Sequence, residues 1–193
     1  NQRGKQHLAK RIFDIVLALI LLLPCLVVCL ICMVLIVIET GNNPVFKQKR
    51  LGKNQQQFTL FKLRTMVVGT RDAASQEISS NAITRIGGIL RRLKFDELPQ
   101  LLNVLMGSMS FVGPRPCLAS QSDLIEAREK RGVFRVRPGI TGLSQVNNID
   151  MSTPEKLAKS DAEYVRKQCL SFDLLLLIQT FLGGGRGDAA RKI

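Results

Sequence analysis

Two adjacent carboxylates near the middle of the chain are the residues best suited to do chemistry. Asp96 and Glu97 stand just before Pro99. Because proline lacks a backbone N–H and is tolerated in the first turn of a helix, Pro99 predicts a helix that begins near Asp96 and runs to Gly107. A carboxylate at a helix start faces the positive end of the helix dipole, which favours its ionised form. This setting suits an anionic nucleophile or a metal ligand, although an aspartate there can also serve only as an N-cap.

Arginines flank this carboxylate pair on both sides. Arg91 and Arg92 precede it, and Arg115 follows it between two prolines that restrict the backbone. Arg137 lies in a second segment of similar make-up, RVRPGITG, whose glycines allow backbone N–H groups to face an anion. An ordinary glycine turn is the structural alternative for that segment. Beside the first cluster, the pattern favours a second phosphate clamp.

The composition excludes several other kinds of site. The chain has 193 residues, one histidine and a formal net charge of +13. A single histidine, His7, argues against serine–histidine catalysis and against histidine-rich metal sites. The positive charge predicts an anionic partner. With no tryptophan and one tyrosine, the chain has few platforms for stacking bases, so we expect no nucleic-acid partner.

A long apolar run near the N-terminus predicts membrane association. Ile15 to Ile38 are 24 residues without a charge, and a helix of that length is about 36 Å long, enough to cross a bilayer. Pro24 would kink the run. Basic residues flank both of its ends, and the positive-inside rule places both flanks in the cytoplasm. A re-entrant helix satisfies both features, while a kinked spanning helix stays open on these grounds.

The rest of the chain predicts an α+β fold that is mainly helical with a small β-hairpin. The hairpin is predicted from Val45–Gln48 and Phe58–Leu63. Apolar residues at helical spacing, Ile86 to Leu93, with arginines between them, predict a basic amphipathic helix that lies on a membrane surface or packs on the core. Further helices are predicted over Ser122–Arg131, from Thr153 through Asp161 and Tyr164, and over Ser171–Leu182.

Taken together, these segments resemble the bacterial sugar transferases, the monotopic phosphoglycosyl transferases. The resemblance runs from about Lys10 to Thr180. It rests on KQKRLGKNQQQFTLFKLRTM, on DELPQL followed by VGPRP, on RPGITGLSQV and on DAEYV. It implies an enzyme that transfers a sugar-1-phosphate from a UDP-sugar to polyprenol (undecaprenyl) phosphate and releases UMP. It also implies a role in surface glycan synthesis, such as that of O-antigen or exopolysaccharide.

The resemblance assigns roles to individual residues. It implies that Asp96 is the nucleophile of a covalent phospho-sugar intermediate and that Glu97 is its acidic partner, tied to Mg²⁺. It implies substrate-binding roles for Arg91, Arg115, Arg137 and Asp161. One departure concerns Ser108, where family members usually carry an acid, so we expect fewer outer-shell contacts around Glu97.

The resemblance also implies a topology. Family members carry a proline-kinked re-entrant helix, often with Ser-Pro at the kink, where this chain has Leu23-Pro24. We therefore expect a re-entrant helix with a basic flank over 1–40, a membrane-associated catalytic domain over 41–182 and a flexible basic tail over 183–193. The protein would be a minimal form, with interfacial helices on anionic lipids and its catalytic domain on the cytoplasmic side of the bacterial inner membrane. A homo-oligomer stays open.

Two alternatives remain at this point. One is a non-enzymatic, membrane-anchored basic protein that binds an anionic polymer, although such a surface has no use for two adjacent acids among arginines. The other keeps the reaction but changes the donor from an N-acetylhexosamine, which we favour because the minimal forms resemble enzymes with such donors, to a hexose.

Overall fold

The computed structural model describes residues 2–70 and 82–183. Within these ranges the helices are α1 (Gln2–Thr40), α2 (Arg85–Leu93), α3 (Gln100–Leu105), α4 (Ser122–Lys130), α5 (Leu143–Val146), α6 (Pro154–Lys167) and α7 (Leu170–Phe181). The strands are β1 (Val45–Leu51), β2 (Gln57–Leu63), β3 (Ser110–Val112) and β4 (Gly139–Thr141). The predicted tail falls almost wholly outside the described residues.

The predicted β-hairpin is confirmed, and the helical content makes the fold mainly helical. β1 is longer than expected, because it continues beyond Gln48 to Leu51, and antiparallel pairing with β2 extends from Val45 opposite Leu63 to Leu51 opposite Gln57. A second sheet was not predicted. β3 and β4 pair in parallel, and their three-residue length beside proline and glycine hides them in the sequence.

α1 packs along the domain on one face and exposes apolar side chains on the other. Its buried positions recur at helical spacing and include Asp14, Ala18, Cys32 and Ile36. Ala18 belongs to the largest apolar cluster, and Cys32 and Ile36 belong to a second one with Leu63 and Leu90. The exposed face carries Leu19, Ile20, Leu23, Leu26, Val27, Leu30, Ile31 and Val34.

By length and composition, Gln6–Thr40 is long and apolar enough to cross a membrane. Helical structure continues through Pro24. Because the helix shares two apolar clusters with later elements, its position is fixed by the same packing that holds the domain together. The division into residues 1–40 and 41–182 stays a prediction, as does the re-entrant course.

α2 delivers the chain to the carboxylate pair. Thr84 caps its N-terminus by accepting a hydrogen bond from Gly87, and Lys94 ends it in the left-handed region at φ 58°. The helix predicted from Asp96 to Gly107 is corrected here: Phe95–Glu97 form a single 3₁₀ turn, and α3 begins only after Pro99. Leu90 packs against α1, while Ile89 and Leu93 stay about half exposed, at 55% and 53%. The amphipathic helix therefore uses one face for the core and offers another to its surroundings.

Candidate active site

Asp96 and Glu97 lie at the centre of a cluster of cationic side chains. Nζ of Lys62 lies 3.0 Å from Oε1 of Glu97 and 3.8 Å from Oδ2 of Asp96. Nη2 of Arg115 reaches the same Oε1 at 3.2 Å. No hydrogen bond from a described residue reaches the carboxylate of Asp96. The two acids therefore differ in their partners. Glu97 has two cationic partners within 3.2 Å, whereas the nitrogen of Lys62 lies 3.8 Å from Asp96.

The pKa values of the two carboxylates also differ, and they shift in opposite directions. Burial raises the pKa of Asp96, and the charge of Glu97 raises it further, against the opposing charge of Lys62. Burial would also raise the pKa of Glu97, but the charges of Lys62 and Arg115 lower it to about 2. The effect expected of a helix start does not act directly on Asp96, because α3 begins only after Pro99, and burial shifts the pKa of Asp96 in the opposite direction.

The hairpin positions Lys62. Because side chains alternate between the two faces of a strand, Lys62 and its cross-strand partner Phe46 share a face with Gln48 and Arg50. Nη1 of Arg50 donates to the carbonyl of Pro116 at 3.3 Å. The same face of the hairpin therefore contacts both the carboxylates and the segment that carries Arg115.

The segment around Arg115 is held by hydrogen bonds to four consecutive carbonyl groups, those of residues 114–117. Gly139 N donates to the first at 3.0 Å, and Nη1 of Arg128 donates to the second, the carbonyl of Arg115, at 2.9 Å. Arg50 donates to the third, and Leu51 N to the fourth at 2.9 Å. These donors restrict the backbone around Arg115 in addition to the two prolines.

Arg91 lies beside the pair. Its Nε donates to Oγ1 of Thr65 at 2.8 Å. Burial lowers its pKa, the charge of Asp96 opposes that shift and the charge of Arg115 reinforces it, which places these three residues within electrostatic reach of one another. A guanidinium stays charged in such surroundings. The structure thus brings together Arg91, Asp96, Glu97 and Arg115, as expected for one site.

Comparison of the sequence with known protein families identifies the family of this chain. Residues 5–185 match the family described as bacterial sugar transferase. The chain belongs to the bacterial sugar transferase family. The predicted family and the predicted enzyme class, a phosphoglycosyl transferase, are confirmed, so the alternative of a non-enzymatic basic protein is not supported.

Individual relatives of this sugar transferase carry more specific names. The chain is 39% identical over 200 residues to the UDP-glucose:undecaprenyl-phosphate glucose-1-phosphate transferase of Escherichia coli. This alignment covers 97% of this chain and 42% of the E. coli protein. It is 36% identical over 183 residues to the protein of the same name in Caulobacter vibrioides, covering 90% and 68%. It is 32% identical over 191 residues to the exopolysaccharide production protein ExoY of Sinorhizobium fredii, covering 90% and 84%. The chain thus spans less than half of the E. coli relative.

Two predicted substrate-binding residues of this sugar transferase form hydrogen bonds with groups other than the carboxylate pair. Nε of Arg137 donates to the carbonyl of Gly107 at 2.8 Å, beyond the C-terminal end of α3, where Arg11 also binds backbone carbonyls. Asp161 is 2% exposed, and its oxygens accept hydrogen bonds from Arg128 and Ser144. The substrate-binding roles of both residues stay predictions, and the surroundings of Asp161 point to a supporting position.

The glycines of the RPGITG segment have a structural explanation. Gly139 N donates to Pro114 O, and Gly113 N donates to Thr141 O at 2.8 Å. A Cβ at Gly139 would lie 2.1 Å from the nitrogen of Gly113. The glycines permit the β3 and β4 segments to approach closely, and these two N–H groups are used within the protein. The N–H group of Gly139 is therefore used within the protein, and the second phosphate clamp stays a prediction.

Ser108 forms its hydrogen bonds with Asn103 of α3. Its hydroxyl donates to the carbonyl of Asn103 at 3.1 Å and lies 3.4 Å from Nδ2 of that residue. Asn103 in turn bonds the backbone of Phe61 and Thr59 in β2. Ser108 thus supports the packing of α3 on the hairpin, and it makes no contact with Glu97.

Lys62 and Arg128 were not predicted as site residues. Lys62 lies in the predicted hairpin, but the strand register decides which of the cationic side chains of the hairpin faces the carboxylates. For Arg128 a signal exists: Leu124, Ala127 and Arg128 fall on one helical face, as do Leu157 and Asp161 on α6. Opposite charges on the apolar faces of two helices, Arg128 on α4 and Asp161 on α6, indicate a buried ion pair.

The carboxylates fit the ligand chemistry of Mg²⁺. No group of three or more His, Cys, Asp or Glu side chains among residues 2–70 and 82–183 could hold a metal ion by itself. Mg²⁺, however, is commonly bound by one or two carboxylates together with substrate phosphates. Oε1 of Glu97 accepts both cationic donors, so its other oxygen and the carboxylate of Asp96 can face a metal–phosphate group.

Proposed function

We propose that this sugar transferase moves a hexose-1-phosphate from a UDP-hexose to undecaprenyl phosphate and releases UMP, through a covalent intermediate on Asp96. The names of its relatives support a hexose donor, and they do not support our expectation of an N-acetylhexosamine. The observation that carries the mechanism is the difference between the two adjacent acids: Glu97 is bound by Lys62 and Arg115, while Asp96 has no hydrogen-bonded partner among the described residues.

In the first step, an oxygen of Asp96 attacks the phosphorus that carries the sugar. The bond from that phosphorus to the bridging oxygen breaks, and UMP leaves with the electron pair. An ionised carboxylate attacks without a general base, which suits a chain with one histidine. The raised pKa of Asp96 makes its carboxylate more basic than that of Glu97, and basicity favours nucleophilic attack.

Positive charge around the transferred group supplies the remaining catalysis. Phosphoryl transfer depends mainly on positioning and on stabilisation of charge on the phosphate oxygens. Arg115, Arg91 and Lys62 surround the carboxylates and would bind the diphosphate of the donor. Glu97 and Asp96 would hold Mg²⁺, which neutralises phosphate charge when it is bound. Removal of divalent ions should stop turnover, and added Mg²⁺ should restore it.

In the second step, an oxygen of undecaprenyl phosphate attacks the same phosphorus. The bond to Asp96 breaks, the carboxylate is regenerated, and a polyprenol diphosphate sugar is formed. The acceptor lies in the membrane, so the carboxylates must lie near its surface. α2 is the connecting element, because it packs against α1 on one face and leads directly to the 3₁₀ turn that carries Asp96.

We also propose that α1 enters and leaves the membrane on the cytoplasmic side. Near the start of α1, Nζ of Lys10 lies 2.5 Å from Oδ2 of Asp173 in α7. Near its end, Glu39 accepts a hydrogen bond from the N–H of Ile86 at 3.2 Å. Contacts of both ends with one domain support a re-entrant course, since a spanning helix would place its two ends on opposite sides of a bilayer with a hydrocarbon core of about 30 Å. The exposed apolar face of α1 would then lie in lipid.

Product analysis with defined substrates tests the proposed function. Purified protein in detergent or nanodiscs is incubated with undecaprenyl phosphate, Mg²⁺ and, one at a time, UDP-glucose, UDP-galactose, UDP-N-acetylglucosamine and UDP-N-acetylgalactosamine. We expect UMP and a lipid-linked hexose with the hexose donors, and neither product with Asp96→Asn. Transfer restricted to an N-acetyl sugar would overturn the donor assignment, and release of UDP in place of UMP would overturn the reaction.

A further inference from the structure

The buried ion pair between Arg128 and Asp161 lies directly behind the Arg115 segment. Both side chains are 2% exposed. Nε and Nη2 of Arg128 donate to Oδ2 of Asp161 at 2.9 and 2.7 Å, and Oδ1 of Asp161 accepts from the hydroxyl of Ser144 at 2.7 Å. The third donor of the guanidinium, Nη1, extends to the carbonyl of Arg115. A charge pair in the core is thus connected to the backbone of a residue whose side chain contacts Glu97.

We propose that Arg128 is a positioning residue, which Asp161 orients and which sets the place of the Arg115 guanidinium for the diphosphate of the nucleotide-sugar donor. This inference rests on the proposed function. Asp161 then acts through Arg128 and Arg115 and has no contact with substrate of its own.

The geometry of arginine makes this role specific. A planar guanidinium can bind a carboxylate with two donors and still direct a third elsewhere, whereas lysine presents a point charge. Because Asp161 fixes the plane of the Arg128 fork, Nη1 has one direction, toward the carbonyl of Arg115. The other three donors to residues 114–117 come from β4 and β1, so Arg128 is the contact of this set that ties the segment to α4 and α6.

A merely structural pair would behave differently on substitution. Removal of one partner of a buried pair leaves an unpaired charge and is strongly destabilising, while replacement of both partners by apolar residues is often neutral for stability. The triple variant Arg128→Met, Asp161→Leu, Ser144→Ala removes the pair and the hydroxyl together. It is designed to keep the fold while it releases the carbonyl of Arg115.

The test measures donor affinity in that variant. UDP binding is followed by isothermal titration calorimetry with Mg²⁺ and without acceptor, and KM values are determined for the nucleotide sugar and for undecaprenyl phosphate. We expect UDP affinity to fall and donor KM to rise by about ten- to hundredfold, because small misplacements of binding groups have effects of that size. The KM for undecaprenyl phosphate should stay at the wild-type value. Arg131→Met serves as the control, since Arg131 directly follows the last residue of α4 and pairs with the exposed Glu155.

A second variant covers the case in which the triple variant does not fold. Arg128→Lys keeps a cation opposite Asp161, but its single nitrogen cannot reach both Asp161 and the carbonyl of Arg115 in the geometry of the guanidinium, so it should also weaken UDP binding. In an Arg115→Met background, the same Arg128→Lys change should have no further effect on UDP affinity, because the two residues act as one unit. A purely structural role predicts additive effects instead.

The outcomes separate this inference from the proposed function. Wild-type UDP affinity in a folded triple variant, or in Arg128→Lys, would overturn the positioning role, as would additivity with Arg115→Met. Wild-type protein that binds UDP but forms no lipid-linked sugar would overturn the proposed function, and the UDP titrations would still decide the role of Arg128.

Discussion

Nη2 of Arg115 lies 3.2 Å from Oε1 of Glu97, so an arginine enclosed by two prolines is directed onto one member of the carboxylate pair. The contact orients both groups before substrate arrives. It also leaves Asp96 as the acid without a hydrogen-bonded partner among the described residues. The assignment of nucleophile and supporting acid follows from this difference in partners.

Replacement of Arg115 by lysine keeps the positive charge and removes the planar guanidinium group. We expect Arg115→Lys to lower kcat/KM for the donor by about tenfold or more, a loss of roughly 1.4 kcal/mol, because a lysine cannot bind Glu97 and a phosphate in the same planar geometry. UMP release at matched protein and salt concentrations measures the effect, with Arg131→Lys as the control. Unchanged turnover would remove Arg115 from the donor site.

Lys62 should control the pH dependence of stability through Glu97. The pKa of Glu97 is lowered from 4.5 to about 2, so this carboxylate stabilises the fold above pH 4.5, and the effect is lost as the pH falls toward 2. In Lys62→Met the folded-state pKa rises, so the variant should be less stable at neutral pH, and the difference should shrink in acid. Thermal unfolding in detergent across this range measures it. Lys130→Met, on the exposed pair with Glu126, is the control, and a gap that does not narrow with falling pH would contradict the assignment.

The hydroxyl of Tyr164 should stabilise the attachment of α1 to the domain. It lies 2.7 Å from Oδ1 of Asp173 and 2.9 Å from the carbonyl of Val112, and Lys10 contacts the other oxygen of Asp173. Tyr164→Phe leaves these buried acceptors without that donor, so we expect a loss of about 1–3 kcal/mol in the free energy of unfolding. Denaturation in detergent tests this against the exposed Ser171→Ala. Equal stability of the two variants would show that the hydroxyl contributes nothing.

The course of α1 can be tested with single cysteines at Gln6 and Lys53, in a background that lacks the native cysteines. Both positions are exposed, and we expect an impermeant reagent to leave both unlabelled in intact cells and to label both in inverted vesicles. Pro24→Ala should shift the population toward spanning, because an unbroken apolar helix of this length fits the bilayer. Labelling of only one site in wild-type protein would contradict the re-entrant proposal.

The sequence predicted the parts of this fold that have strong local signals. The hairpin, α2, α4, α6 and α7 follow from periodicity and from turn residues such as Pro154 at a helix start. The parallel pairing of β3 with β4 could not be predicted, because it joins two three-residue strands through tertiary contacts alone. The start of α3 was misplaced because Lys94 adopts a left-handed conformation that separates α2 from a 3₁₀ turn.

The sequence predicted which residues form the site, but it did not predict the relative pKa values of the two acids. Asp96, Glu97, Arg91 and Arg115 come together as the motif indicates. The pKa order of the two acids was not predictable, because it depends on Lys62, whose approach is set by the register of the hairpin. The buried partner of Asp161 was likewise hidden, because Arg128 resembles the other charged residues of α4 until its helical face is compared with that of α6.

In the proposed mechanism, Asp96 becomes covalently bound to the phospho-sugar. Protein is mixed with a UDP-sugar and Mg²⁺ in the absence of undecaprenyl phosphate, quenched under conditions that preserve acyl phosphates, and digested for mass spectrometry. We predict a burst of UMP of up to one per active site and a peptide whose mass rises by one sugar phosphate at Asp96. Both should vanish in Asp96→Asn, whereas Glu97→Gln should retain a slow burst. No adduct, or an adduct on Glu97, would contradict the assignment of Asp96 as the nucleophile.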